Sequence, residues 1–441
     1  MSARRLELCV AALLLAACAR EAAPPARPSV LLVSIDTLRA DHLGLYGYAR
    51  DTSPFLDRFA AGSLVCERAW SPCPWTLVAH MTMLTGLHPE QHGVTTGERA
   101  LADEIPLLAE RLHAAGHQTI GLYHPVWVSA RHGFQRGFDV FRSHGEADEA
   151  ELHLQEELAR LDPARPYFVF LHLFDVHQGP IRPEQHSIYP APAPFQEMFQ
   201  PGATAKLPLV SWQLDPKNGE QREAMTALYD GGIRHLDSKL EQWFDELERR
   251  GLLANTLVIV TADHGENLMD RGRVSGHGRF WNEGIRVPLI VRHPRGLGAG
   301  TRVQENVHLG DIVPVLATVG LTADPRLPGR PLFEPLPSER VIIGSQDIGA
   351  YVLLGARKIA RGKARYLSLD LAADPEEKKG RVLDDCPLFD EWYARALDPN
   401  LAFAPPKQVA AFTPKEAEHL RALGYAGEID DPGHEESEPG D

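Results

Sequence analysis

Short apolar runs alternate with helix-like segments along most of this chain. Two of the runs, Ser29–Ile35 and Thr256–Thr261, are almost continuously apolar, which is typical of parallel strands that are buried on both faces. A long segment with helical periodicity, Gln221–Arg250, ends at Gly251 and leads into the second run. This alternation predicts an α/β fold with a mostly parallel sheet flanked by helices. Further strands are predicted at Thr119–Tyr123, Tyr167–Leu173, Val287–Val291 and Val341–Ile343, and further helices at Phe55–Ala61 and Pro106–Ala115.

The pattern divides the chain into a large and a small part. Residues 29–340 carry the α/β alternation, whereas short strand-like pieces over 341–426 predict a small antiparallel C-terminal subdomain. Within the large part, residues 178–219 are rich in Pro and Gln and have weak periodicity, so we expect an inserted loop region near the site. Residues 427–441 hold seven acids and no Lys or Arg, which predicts a solvated, disordered tail.

The N-terminus predicts export. Residues 1–18 contain two arginines and a short apolar core, Leu8–Ala17, which is too short for a transmembrane helix. The core ends in a Leu-Ala-Ala-Cys string that matches the bacterial lipoprotein signal, in which Cys18 is lipidated and becomes the new N-terminus. Residues 19–28, rich in Pro and Ala, then predict a tether. We expect a lipoprotein of the cell envelope, anchored by lipid alone, and Ala19 favours the outer membrane; a plain secretory signal is the alternative.

Composition narrows the class of protein further. Hydrophobic residues make up 44% of the chain and charged residues 24%, which is ordinary for a globular protein. The net charge of −15 argues against a nucleic-acid partner. Outside the signal the chain has three cysteines, an odd number that does not fit a disulfide framework, and the sequence leaves open whether Cys66 pairs with Cys73.

Polar residues follow both of the buried-strand runs. Asp36 comes directly after the first run, and Asp263-His264 closes the second. Open α/β sheets place their ligands at the carboxyl ends of the strands, and carboxylates with imidazole are a metal-ligand combination. Either acid alone would fit a helix cap or a solvated loop. The two together favour a metal site.

A threonine marks a third element of the candidate site. Thr76 is placed to be the N-cap of a helix that runs to about Leu84, and His80, four residues on, shares its face. A helix N-terminus gathers N–H donors and a positive dipole end, which suits an anionic ester. A purely capping role for the Thr76 hydroxyl is the alternative.

Taken in order, these motifs resemble the sulfatase family of the alkaline phosphatase superfamily. The resemblance covers about residues 28–425 and implies an alkaline-phosphatase-like fold and an ester-cleaving enzyme. No single motif is specific, but the full set in the same order is. The matching stretches are Val33–Gly47, Thr85–Gly93, Phe174–His177, Asp263–Glu266, Gly276–Leu289, Ala372–Glu376 and Leu420–Tyr425.

The chain departs from this family at the nucleophile. True sulfatases carry Cys-x-Pro-Ser-Arg, whose Cys becomes formylglycine, and here that window reads from Thr76 to His80. Thr37 also replaces the second residue of the family's usual Asp-Asp pair. Threonine nucleophiles are used by the phosphodiesterase and phosphotransferase branches of the superfamily. The resemblance therefore implies direct attack by Thr76.

The resemblance also assigns a metal. It implies that Asp36, Asp263 and His264 hold one divalent cation, with the Thr76 oxygen as a further ligand. A histidine ligand favours Mn²⁺ or Zn²⁺ and leaves Ca²⁺ as the less favoured option.

Three histidines complete the implied site. His80, His177 and His277 point to charge stabilisation and to protonation of the leaving group, and His277 is the best candidate acid. Asp175 with His177 and His277 is the alternative, a second metal site.

The sequence thus predicts a metal-dependent hydrolase or transferase of sulfate or phosphate esters. The threonine favours phosphodiesters or phosphonates, because a threonine ester lacks the second hydroxyl through which formylglycine releases sulfate. One alternative is a sulfuric ester hydrolase that works without formylglycine. Another is a catalytically silent lipoprotein that binds anionic glycans. The expected ligand is a sulfated or phosphorylated glycan, lipid or small molecule.

Overall fold

The computed structural model describes residues 27–420, apart from 126, 180–187, 190, 209–212, 273–278, 323, 348, 399–400, 402, 415–416 and 418–419. The predicted signal, most of the tether, the acidic tail and the candidate acid His277 therefore lie outside the described residues. In the described part of the chain, no helix combines the length and the apolar composition that a membrane crossing requires.

Strands and helices follow one another along the described chain. The strands are β1 (Ser29–Ile35), β2 (Leu64–Trp70), β3 (Arg99–Ala100), β4 (Gln118–Tyr123), β5 (Val140–Ser143), β6 (Tyr167–Leu173), β7 (Thr256–Thr261), β8 (Arg286–Val287), β9 (Leu289–Arg292), β10 (Arg302–His308), β11 (Val341–Gln346), β12 (Gly349–Leu354), β13 (Arg357–Arg361), β14 (Tyr366–Asp370), β15 (Arg381–Leu383) and β16 (Lys407–Gln408). The α-helices are α1 (Pro54–Ala61), α2 (Thr76–Thr85), α3 (Pro89–His92), α4 (Leu108–Ala114), α5 (Ala147–Leu158), α6 (Ala203–Lys206), α7 (Gly219–Arg249), α8 (Asn282–Ile285), α9 (Ile312–Val315) and α10 (Pro387–Ala396).

The larger part of the chain is built on one mixed sheet. Over the described residues it has nine strands in the order β10-β2-β9-β7-β1-β6-β4-β5, and β8 pairs with β2. Strand β1 lies between two parallel neighbours, so that Val33 is opposite both Leu171 of β6 and Val260 of β7. Strand β9 is antiparallel to β7 and to β2. The predicted α/β fold with a mostly parallel sheet is confirmed.

Single residues move some predicted boundaries. The predicted strand Val287–Val291 is split into β8 and β9 at Pro288, which has no N–H to donate to a ladder. Helix α7 begins at Gly219 rather than at Gln221, because the Asn218 side chain accepts hydrogen bonds from N–H groups of its first turn, Gln221 N among them at 3.2 Å.

A small second sheet follows from β11 onward. Strands β11 to β15 form a five-stranded antiparallel sheet over the described residues, which confirms the predicted antiparallel subdomain. Helix α10 covers it through Phe389 and Trp392. The buried Lys358 of β13 connects this sheet to the larger part of the chain, since its Nζ donates to the Phe280 carbonyl (2.8 Å). It also forms an ion pair with Glu377, which lies between β14 and β15.

None of the cysteines in the described chain forms a disulfide. Cys66, Cys73 and Cys386 are all buried, and the Cys73 thiol donates to the Trp75 carbonyl (3.7 Å). The pairing that the sequence left open does not form.

Candidate active site

Two neighbouring strands bring the candidate metal ligands together. Strands β1 and β7 are parallel and paired along their length, so Asp36 and Asp263 emerge side by side at their carboxyl ends. The Asp36 N–H donates to the Leu173 carbonyl at the end of β6 (2.8 Å), which fixes the turn that follows β1. Both carboxyl groups are fully buried. The sheet thus places the predicted residues in one pocket.

The Thr76 hydroxyl points into this pocket. Its Oγ1 lies 3.3 Å from Asp36 Oδ2, to which it donates, and 3.1 Å from His264 Nε2. The prediction that Thr76 is the N-cap of its helix is wrong. Trp75 holds the cap position with extended backbone, α2 begins at Thr76, and no side chain of the described residues caps it. The hydroxyl is directed at the acids and the imidazole because it belongs to the first helical turn.

Two carboxylate oxygens in the pocket have no hydrogen-bond partner. Asp263 Oδ1 accepts from Thr37 N (3.2 Å) and His264 N (2.8 Å), whereas its Oδ2 has no such partner in the described chain, and neither has Asp36 Oδ1. Buried acceptors without a partner are costly. A cation between them would remove this cost.

The third candidate ligand faces the same two oxygens. His264 Nε2 lies 3.5 Å from Asp263 Oδ2 and 3.7 Å from Asp36 Oδ1. Its Nδ1 is 2.9 Å from the Gly265 carbonyl, and a proton donated there leaves Nε2 with its lone pair toward the acids. One ligand atom from each of the three residues falls within 4.8 Å of the others. The residues present fit a divalent cation.

Charge in the pocket also favours a cation. Burial raises the pKa of the Asp36 carboxyl well above its usual range, and the nearby Asp263 and Glu266 raise it further. Glu266 is itself fully buried, and burial raises its pKa to about 8. Among the described residues, the ion pairs of Asp36 and Asp263 are to histidines only.

His80 lies beneath Thr76 and is fully buried. Its Nδ1 is 2.9 Å from the Thr76 carbonyl and its Nε2 is 2.9 Å from Ser34 Oγ. Nδ1 is also 3.6 Å from Asp263 Oδ2. Burial lowers the pKa of His80, and contacts within the protein satisfy both ring nitrogens. Its role in charge stabilisation stays a prediction.

His172, which the sequence reading missed, belongs to the same cluster. Its Nε2 lies 3.1 Å from Asp36 Oδ2, and burial followed by the charge of His80 lowers its pKa well below the usual value. It is opposite Ser34 in the register of β1 and β6. The available signal was a histidine in an otherwise apolar strand, one residue before its end.

His177 lies on the loop after β6. The side chain is buried and stacks on Phe174, with ring centroids 4.0 Å apart. Its Nδ1 is 2.5 Å from the Gln178 carbonyl, and burial followed by His264 lowers its pKa well below the usual value. The same loop is held to the segment that follows β7 and carries Asp263, because Gln178 N donates to Glu266 Oε2 (3.2 Å). The inserted region therefore begins beside the site.

Asp175 is turned toward a helix. Its Oδ1 accepts from Ala147 N at the start of α5 (2.8 Å), and burial raises its pKa to about 6. It belongs to neither of the metal-competent groups that the described residues form. His277 lies outside those residues, so the alternative second site with Asp175, His177 and His277 stays a prediction.

A strained residue shapes the turn after β1. Thr37 has a φ of 57°, in the left-handed region that β-branched residues rarely adopt. Its N–H donates to Asp263, and its carbonyl accepts from the Tyr229 hydroxyl (2.8 Å), which in turn accepts from Arg39 N (2.9 Å). The contacts hold the strained turn so that an N–H reaches the Asp263 carboxylate.

Comparison with known proteins identifies the family of the chain. The family model described as Sulfatase matches residues 28–320. An ulvan-active sulfatase of Formosa agariphila is 24% identical over 321 residues, which are 66% of this chain and 61% of that protein. The chain thus spans less than two thirds of this relative's length.

Solved structures show the same fold. A phosphonate monoester hydrolase of Agrobacterium radiobacter has a TM-score of 0.63 at 20% identity and covers 80% of this chain and 91% of its own. The structure described as BT4656 in complex with its substrate D-glucosamine-2-N,6-O-disulfate has a TM-score of 0.66 at 16% identity and covers 93% of this chain and 100% of its own. With the family model matching well over half of its residues, the chain belongs to the sulfatase family, within the alkaline phosphatase superfamily.

Proposed function

We propose that this protein is a metal-dependent hydrolase of anionic esters in which Thr76 is the nucleophile. The observation that carries the proposal is the direction of the Thr76 hydroxyl. It contacts Asp36 and His264 although it stands at the start of a helix, where a threonine commonly serves as a cap.

The metal ligands would be Asp36, Asp263 and His264, with the Thr76 oxygen beside them. A divalent cation bound there would lower the pKa of the Thr76 hydroxyl and screen the negative charge of the ester. The chain's own groups orient the nucleophile, since the hydroxyl donates to Asp36 Oδ2 and thereby fixes its remaining lone pairs. The imidazole of His264 favours Mn²⁺ or Zn²⁺.

The start of α2 supplies further stabilisation for an anion. Its first N–H groups have no side-chain cap among the described residues, and the positive end of the helix dipole lies at Thr76. A tetrahedral ester group attacked by Thr76 would meet these donors. The departing alcohol needs a proton, which we assign to His277, and a water then attacks the threonine ester and restores Thr76.

The chemistry of the intermediate favours phosphorus over sulfur. A threonine ester has a single oxygen on its carbon, so the adduct is released only by a second attack at the phosphorus or sulfur atom. We therefore propose phosphodiesters or phosphonates as better substrates than sulfate esters. Phosphonate monoester hydrolases among the structures of the same fold support this choice.

Sulfate ester hydrolysis without formylglycine is the second candidate. It is favoured by the curated relatives, which are named as sulfatases, and by a structural neighbour described with a disulfated glucosamine as its substrate. An anionic glycan is accordingly one of the proposed substrates. Anchoring at the cell envelope through Cys18 is a further part of the proposal. An acyl mass on a mature N-terminus at Cys18 would support it.

The test is a comparison of matched aryl substrates. Purified protein is assayed on an aryl phosphate, an aryl phosphodiester, an aryl phosphonate and an aryl sulfate. In a second measurement, the reaction is quenched with acid to trap the intermediate and detect a phosphorylated Thr76. Thr76→Ala should abolish turnover and leave binding of the substrate intact. Thr85→Ala is the matched control, because Thr85 lies on the same buried helix but bonds to the Met81 carbonyl (2.6 Å).

The outcomes separate the candidates. A much higher kcat/KM for the sulfate than for the phosphodiester would favour the second candidate. Unchanged rates in Thr76→Ala would refute the nucleophile. If the wild type binds these substrates but turns none of them over, the protein is a catalytically silent binding protein.

A further inference from the structure

We propose that Glu377 is a positioning residue for the protonation of the leaving group, because it holds both ends of the stretch that carries the acid His277. This inference rests on the proposed function, which assigns His277 that task. Glu377 lies between β14 and β15 of the small sheet, yet its carboxylate and its carbonyl bind residues of the larger part of the chain. The small subdomain would thus take part in the reaction through this residue.

Glu377 contacts the chain on either side of that stretch. Arg271, which precedes it, donates to the Glu377 carbonyl (3.0 Å), and its guanidinium lies 3.4 Å from Glu377 Oε2. Asn282, which follows it, donates its backbone N–H to the same Oε2 (2.7 Å). A single carboxylate oxygen therefore joins the residues that flank His277.

Neighbouring groups reinforce this contact. Lys358 of β13 forms an ion pair with Glu377 and donates to the side-chain oxygen of Asn282 (2.9 Å). The side-chain nitrogen of Asn282 donates in turn to the Pro375 carbonyl (3.1 Å). The side chains of Lys358 and Glu377 are fully buried. Because a buried charge that loses its partner is costly, these contacts hold Asn282 in one position.

Backbone strain is concentrated at the same contact. Arg271 has a φ of 54° and Glu377 a φ of 55°, both in the left-handed region that residues other than glycine rarely adopt. Met269, two residues before Arg271, has a φ of 62°. Thr37 in the metal pocket is the other non-glycine residue of the described chain with such a backbone. Strain of this kind persists where surrounding contacts enforce it, and it is found mainly at functional sites.

The segment that Glu377 holds lies directly against the metal pocket. Gly265, next to the candidate ligand His264, donates its N–H to the Gly284 carbonyl (2.8 Å). A Cβ atom at Gly265 would clash with the Glu283 carbonyl oxygen, so this approach requires glycine. The described contacts therefore connect Glu377 to the immediate surroundings of a metal ligand.

A displaced acid affects only those esters that need it. A good leaving group departs without a proton, whereas a poor one requires protonation in the transition state. Loosening the two ends of the stretch should therefore slow the cleavage of esters with poor leaving groups and spare the others. A purely structural role for Glu377 would change both rates alike.

Two matched phosphodiesters separate these roles. The full chain in saturating Mn²⁺ is assayed on methyl 4-nitrophenyl phosphate, which has the better leaving group, and on methyl phenyl phosphate. Sulfates of the same two phenols are used if sulfate is the better substrate. Glu377→Gln should lose about 10- to 100-fold in kcat/KM on the phenyl ester and little on the nitrophenyl ester, and His277→Ala should show the same selectivity. Glu157→Gln is the control, a buried glutamate of α5 paired with Arg142 (3.5 Å), and should change neither rate.

Arg271→Gln guards against a misfolded variant. It removes the contact from a partly exposed side chain and leaves Lys358 paired with Glu377. It should show the same selective loss on the phenyl ester. Bound metal per chain should equal the wild-type value in every variant, and its loss in Glu377→Gln and Arg271→Gln would overturn the positioning role.

The remaining outcomes are distinct. Equal losses on the two esters in Glu377→Gln and Arg271→Gln, or no loss on either, would overturn this proposal while a selective loss in His277→Ala keeps the acid. No selective loss in His277→Ala would overturn the assignment of the acid and this proposal with it. No turnover of any ester by the wild type would overturn the proposed function itself.

Discussion

Replacing Asp263 with Asn should change stability in opposite directions with and without metal. The amide keeps an oxygen for the N–H groups of Thr37 and His264 that Asp263 Oδ1 now accepts. It removes a negative charge that lies beside Asp36, whose pKa is raised by burial and then by Asp263.

The size of the effect follows from the spacing. Ligand atoms of Asp36 and Asp263 lie within 4.8 Å, and at an effective dielectric constant of about 20 the repulsion of two full charges is roughly 3 to 4 kcal/mol. Protonation of Asp36 limits this repulsion, so Asp263→Asn should stabilise the metal-free protein by about 1 to 3 kcal/mol. A cation at 1,000 times its Kd stabilises the wild type by about 4 kcal/mol, and the variant should lose this gain.

Equilibrium unfolding in urea measures both effects when it is run once in excess chelator and once in saturating Mn²⁺. Asp237→Asn is the matched control, because Asp237 is buried and also accepts two backbone N–H groups, Phe55 N (2.8 Å) and Leu56 N (2.9 Å), away from the metal pocket. Its response to metal should equal that of the wild type. A variant at Asp263 that is less stable than the wild type in chelator, or equally stabilised by metal, would refute the reasoning.

Three further predictions concern the surrounding protein. Burial lowers the pKa of His92 to about 3, so between pH 7 and pH 5 only the unfolded imidazole gains its proton; the wild type should lose about 2 kcal/mol more than His92→Gln in urea unfolding at the two pH values. Lys358→Met should cost about 1 to 3 kcal/mol in the same assay, because the buried Glu377 Oε1 loses its ion pair while Oε2 keeps that with Arg271 (3.4 Å), and adding Glu377→Gln should recover most of the loss. Glu266→Ala should lower kcat/KM about 10-fold without loss of bound metal, because it releases the loop of His177.

The sheet was predictable because its strands are buried on both faces. Such strands are apolar at nearly every position rather than at alternate ones, so Ser29–Ile35 and Thr256–Thr261 were located to the residue. Element boundaries that depend on a single residue were harder to predict. The break at Pro288 and the early start of α7 at Gly219 follow from a missing N–H and from an Asn side chain, neither of which changes the hydrophobic pattern.

The residues of the candidate site could be predicted only where their position depends on the neighbouring sequence alone. Asp36 and Asp263 stand at strand ends, which the sequence shows. His172 could not be assigned, because its place beside Asp36 depends on the register between β6 and β1, strands separated by more than a hundred residues. The local pattern could not give the direction of the Thr76 hydroxyl, since a threonine at a helix start has the same sequence signature whether or not it caps the helix; only the family resemblance placed its oxygen near the metal ligands.

Three departures from local rules meet in this pocket. Helix α2 has no capping side chain among the described residues, Thr37 occupies the left-handed region, and the buried oxygens Asp36 Oδ1 and Asp263 Oδ2 have no hydrogen-bond partner there. Each costs on the order of 1 to 3 kcal/mol. Sequences that specify one fold break such rules mainly at functional sites. In the proposed function, a cation would remove the cost of the oxygens, and an anionic ester at Thr76 would remove that of the helix. The two ligands of the proposal would thus relieve separate costs that the described pocket carries.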